Sequence, residues 1–199
     1  MVLAAFATQF AENSYPFKTF GERYRKYREL KELVEADPKA PTGLLDFALR
    51  GITRIGLRTL KRVPIAGDAV EVLFTPEAED AMVEHTSALA NYVAQKFSNK
   101  DDRVLLLDTE TELTRHFLTD LNKLADDQRV VLFFDTFEKT ALALESWLVD
   151  MLEGKFGAFS SNVLFVIAGR YPLGQPWTKL KRAIQQVELE EFTENEARD

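Results

Sequence analysis

The fold turns on Val130-Val131-Leu132-Phe133-Phe134-Asp135-Thr136-Phe137-Glu138. It opens with a continuous apolar run and closes on two acids. A continuous run, unlike an alternating one, reads as a strand buried on both faces, as in a parallel sheet covered by helices. A second run, Val163 to Ala168, has the same character and ends in Gly169-Arg170. Between them the pattern predicts a helix from about Thr140 to Glu153. Strand, helix and strand in this order predict a right-handed βαβ unit. The two strands should then be parallel neighbours, or separated by a single strand.

Upstream, helices are expected over residues 2–12, 20–35, 44–62 and 77–97. The loop of Lys39 to Gly43 separates the second and third. Phe20, Tyr24 and Tyr27 fall at i, i+4 and i+7, on one face. Arg103 to Asp108 is a short apolar run able to serve as a further strand. Thr109-x-x-Glu112 has the form of a capping box, opening a helix to about Asp126 with Leu113, Phe117, Leu121 and Leu124 on one side. Downstream, a helix over Trp177 to Ile184 leads to a third apolar run, Val187 to Leu189, and Thr193-x-x-Glu196 caps a further helix. The fold expected is α/β: a partial parallel sheet of about three strands flanked by helices. Residues 1–100 form a mainly helical N-terminal part and insert, and residues 101–199 the α/β part.

Composition narrows the function classes. The 199 residues are 46% hydrophobic and 29% charged, ordinary globular values. No apolar run reaches the ~18 residues of a membrane-spanning helix, and Val2 to Phe6 makes a poor signal peptide. The chain has no cysteine, which excludes disulfides, zinc ribbons and thiol catalysis and fits a cytoplasmic location. With only His85 and His116, a histidine metal site is not expected. The net charge of −7 is unevenly spread: residues 1–62 hold 12 Lys/Arg against 7 Asp/Glu, and the remainder is acidic.

In a parallel sheet, ligands bind beyond the carboxyl ends of the strands. An aspartate there, Asp135, is placed to hold the water shell of a magnesium ion. Glu138, three residues on, can orient or deprotonate a water. Arg170, after the next strand, suits a phosphate oxygen. A weaker candidate is Asp108, behind Val104 to Leu107. Arg50, Arg54, Arg58 and Arg62 form a basic stripe at helical spacing, and Arg23, Arg25, Lys26 and Arg28 interleave with Tyr24 and Tyr27. Both read first as solvated faces over a core. The alternative is an interaction module whose basic helices bind a protein, nucleic acid or membrane surface.

Phe133 to Glu138, Val166-Ile167-Ala168-Gly169-Arg170 and Val187 to Arg198 together resemble the STAND class of signalling P-loop ATPases, related to AAA+ and NB-ARC proteins. The resemblance covers roughly residues 109–199 and reaches back to Tyr15 to Leu33. It implies that the first motif is a Walker B strand, that Arg170 is a sensor-1 arginine, and that ATP with Mg2+ is the cofactor. The departure is that no G-x-x-x-x-G-K-[ST] string occurs among the nine glycines; Gly154-Lys155 is followed by Phe156. The resemblance therefore implies a P-loop before residue 1 and helical or repeat domains after residue 199. It implies a truncated core that is inactive alone, with unpaired strand edges prone to self-association.

Overall fold

The computed structural model describes residues 2–40 and 88–189. The expected helix over 44–62 with its arginine stripe, the first part of helix 77–97 with His85, and the Thr193 to Glu196 cap lie outside them. In chain order the elements are α1 (Val2–Glu12), α2 (Lys18–Glu35), α3 (Lys100–Leu107), α4 (Thr109–Asp127), β1 (Val130–Phe134), α5 (Phe137–Leu152), β2 (Val163–Ile167) and a 3-10 turn (Gln175–Leu180). Residues 88–96 are also helical.

The strand–helix–strand unit is present. β1 and β2 pair in parallel, with Val130 opposite Val163 and Phe134 opposite Ile167. Side-chain hydrogen bonds in both directions tie the 153–162 connection to α4. Asn122 donates to Ala158 O and accepts from the Ser160 amide, and Asn162 donates to Ala125 O.

Four expectations are corrected. Arg103 to Asp108 is no strand; it lies in α3 and its C-cap. Asn99 accepts the Asp101 and Asp102 amides at 2.8 and 3.4 Å, which starts a helix four residues before the apolar run. Leu105 and Leu106 are then buried on its inner side. The Thr109/Glu112 capping box does not form. Asp108 is the N-cap of α4, the Thr109 hydroxyl donates back to Leu105 O at 2.7 Å, and Glu112 pairs with Arg23. Trp177 to Ile184 is not a full helix, but a 3-10 turn ending at Leu180. Val187 to Leu189 pairs with nothing among the described residues, so the sheet there has two strands, not three.

A fifth correction concerns burial. β1 alternates: Val130, Leu132 and Phe134 are buried, whereas Val131 and Phe133 are 55% and 56% exposed. Leu164, opposite Val131, is also exposed. One face of the sheet is thus covered and the other is bare. The cover is aromatic. Phe117 of α4 lies 5.0 Å from Phe17, 5.8 Å from Phe20 and 6.3 Å from Phe6, and Phe6 meets Phe134 edge-on at 5.4 Å. Such tilted and edge contacts add to the burial gain of each ring.

Two polar ties hold the helical part. Phe17, the N-cap of α2, offers no side-chain acceptor; Asp120 of α4 supplies one, its buried carboxylate taking the Phe20 amide at 2.8 Å. A negative charge there also meets the positive end of the helix dipole. Beyond α2, Asp37 accepts from Lys96 Nζ at 2.5 Å, Tyr92 OH at 3.0 Å and the Lys39 amide at 2.9 Å. These bonds, Lys96 first, hold the Asp37 carboxyl down at about 2.

Candidate functional site

The carboxyl ends of β1 and β2 bring the three sequence-selected residues to one edge. The ladder continues past β1, with the Ala168 amide donating to Phe134 O and the Phe137 amide to Ala168 O, at 2.8 and 2.9 Å. Asp135 follows β1 directly and is exposed; its carboxylate accepts the Thr136 amide at 2.7 Å. Thr136 adopts a left-handed conformation, φ 50°, so the chain turns abruptly from strand into α5.

The first turn of α5 carries Glu138 under the end of β2. Its Oε2 accepts the Arg170 amide at 3.3 Å, and its Oε1 lies 3.7 Å from Arg170 Nε. Gly169 leaves room for this approach: a Cβ there would stand 3.2 Å from Glu138 Oε2, a tight contact that the carboxylate would have to relieve by shifting. The two partners differ in exposure, with the Glu138 side chain 15% and the Arg170 side chain 81% accessible. The carboxylate is therefore held by the protein, while most of the guanidinium faces solvent.

The rival acid, Asp108, caps α4 and does not stand at a strand end. Among the described residues no group of three or more acids or histidines is placed to hold a metal ion. Asp135 is a single exposed carboxylate. That donor set fits Mg2+ held through water, since this ion keeps much of its water shell; it does not fit a protein cage.

Of the four basic residues interleaved with tyrosines on α2, Arg23 is half-buried, and Arg25, Lys26 and Arg28 are exposed. Arg23 pairs with Glu112 at 2.5 Å, Lys26 with Asp102 at 3.6 Å and Arg28 with Glu32 at 4.0 Å. Tyr27 is a core residue whose phenol is pushed up to about 12 by burial, then by Tyr24 and Glu35. It offers no open stacking surface.

A second cluster was not visible in the sequence. Asp150, near the C-terminal end of α5, is buried; one oxygen pairs with Lys155 and Oδ2 has no hydrogen-bond partner. Burial, then Asp150 and Asp108, push the Glu110 carboxyl up to about 7. Burial pulls the Lys155 ammonium down, but its bonds and charge pairing with Asp150 and Glu153 outweigh that and leave it above its ordinary value. Asp150 lies twelve residues along α5 from Glu138, about 18 Å of helix rise. The cluster is separate from the strand-end site. An acid in the first turn of a helix ordinarily reads as a solvated partner of the helix dipole, so nothing in the sequence around Glu110 announces its burial.

No family model matches the chain, and no curated protein or solved structure is significantly similar to it. Among the described residues no helix is long and apolar enough to cross a membrane.

Proposed function

We propose that this chain carries the strand-end half of a nucleotide-dependent switch of the STAND type, with ATP and Mg2+ as its ligands. One observation carries the reading: Asp135, Glu138 and Arg170 converge beyond the carboxyl ends of two adjacent parallel strands, and Glu138 is in contact with Arg170. That edge is where open α/β sheets bind their ligands.

Each residue has a role its surroundings support. Asp135 would hold magnesium through water. Glu138 would orient the attacking water, and Arg170 would meet the terminal phosphate. Mg-ATP, when bound, supplies the phosphoryl group and the charge that Arg170 answers. The Glu138–Arg170 pair gives the edge two arrangements. With Arg170 on Glu138, the carboxylate is occupied; with Arg170 drawn to a phosphate, the carboxylate is released toward water. Positioning and charge dominate phosphoryl transfer, so these three residues need a phosphate cradle. No such string lies within the 199 residues.

The test is calorimetric titration with Mg-ATP. The 199-residue chain should bind more weakly than about 1 mM. With a P-loop segment supplied ahead of it, the chain should bind in the micromolar range, with Asp135→Asn removing the magnesium dependence and Arg170→Ala weakening binding at least tenfold, by about 1.4 kcal/mol. Micromolar binding by the short chain, or none by the longer one, overturns the reading.

A further inference from the structure

One edge of the sheet opens on a groove. It lies between α1 and β1, encloses about 530 Å³, and is lined by Phe6, Phe10 and Leu124 together with Val130 to Phe133. β2 occupies the opposite edge of β1, and among the described residues no strand pairs on the groove side. An unpaired strand edge beside an apolar floor accepts an extended segment: main-chain hydrogen bonds give affinity, and alternate side chains enter the floor.

The same molecule presents such a segment. Residues 185–189 belong to no helix or strand, and Val187 and Leu189 are 68% and 89% exposed. Ile184, where the segment begins, is packed against the core and anchors it. In an extended conformation Val187 and Leu189 point to one face and Glu188 to the other. Two exposed apolar side chains at strand spacing match the spacing of an edge that has no partner among the described residues.

We infer that residues 185–189 of one copy add as a strand to the groove-side edge of β1 in a second copy. Val187 and Leu189 enter the groove against Phe6, Phe10 and Leu124. Glu188 then falls on the opposite face of the sheet, the face of Val131 and Phe133. Arg129, at the head of β1 and on the rim of the groove, belongs to that face at strand period. The guanidinium and the Glu188 carboxylate are complementary in charge. Among the described residues of one copy, nothing pairs with the groove-side edge and the segment lies exposed. Exchange between copies covers both, and a reciprocal exchange closes a two-fold dimer rather than an open chain. This inference does not depend on nucleotide binding.

Sedimentation equilibrium of the 199-residue chain, from about 1 to about 100 µM, tests it. The wild type should pass from monomer to dimer across that range. Val187→Asp with Leu189→Asp should remain monomeric, with its helical circular dichroism unchanged. Arg129→Glu and Glu188→Arg should each weaken the dimer about two- to fivefold, and the double swap should regain the loss. A wild type that is monomeric throughout, including one whose segment pairs within its own copy, overturns the proposal. So does a dimer that survives the two aspartates, or a double swap no tighter than the single ones.

Discussion

The two faces of the β1–β2 sheet are built from equally apolar residues and have opposite fates. Val130, Leu132 and Phe134 disappear beneath α1 and α4, while Val131, Phe133 and Leu164 meet solvent. Apolar composition states what a strand can bury. Which side is buried depends on where the neighbouring helices land, and here Phe6, Phe17, Phe20 and Phe117 gather on one side only. The difference in energy between the faces should accordingly be large, although the residues facing each way are alike.

The largest effect should come from removing the ring at the centre of the covered side. Phe117→Ala should cost about 3–5 kcal/mol, because the transfer term and the cavity term add at a site closed on every side. A urea melt followed by circular dichroism measures it. A loss below about 1 kcal/mol would mean that the aromatic cluster is not the centre of the fold.

A smaller effect comes from the polar fault between α4 and α5. The Glu110 carboxyl is pushed up from 4.5 to about 7 in the folded chain. The folded state therefore keeps a proton that the unfolded state releases. The associated stability is complete below about pH 4.5 and declines as pH rises toward about 7, with no further loss above that. Asp37, held down at about 2, titrates below this window and has the opposite sign. Glu110→Gln should flatten the slope between those two pH values, as read from melting midpoints across a buffer series. A slope unchanged by the substitution would remove Glu110 as its source.

The smallest effect is expected on the exposed face. Leu164→Thr on the bare face should change stability by no more than about 0.5 kcal/mol when measured at a concentration that keeps the chain monomeric. A penalty of core size would mean that this face is covered in solution.

Much of the architecture was legible in the sequence. Both strands were read to within one residue, because short apolar runs flanked by a helical pattern leave few other arrangements. Arg103 to Asp108 was misread because four apolar residues in a row suit a strand or one turn of helix equally well. The deciding residue, Asn99, stands four positions upstream. The cap supplied to α2 by Asp120 was out of reach, since it joins residues 100 positions apart. At the candidate site, the convergence of Asp135, Glu138 and Arg170 followed from their places after the two strands. The direct pairing of Glu138 with Arg170 did not, because sequence spacing does not reveal that the Glu138 carboxylate folds back against Gly169 and Arg170.

The tie from Asp37 to Tyr92 and Lys96 has a consequence for how the chain tolerates change in length. It draws together the point where the backbone leaves α2 and the point where it returns at residues 88–96. Whatever separates those points is an excursion from a base that is already closed. The entropy of closing such a loop grows only with the logarithm of its length, about 0.6 kcal/mol for each doubling. The loop-closure part of any change in the length of chain between residues 40 and 88 is therefore small.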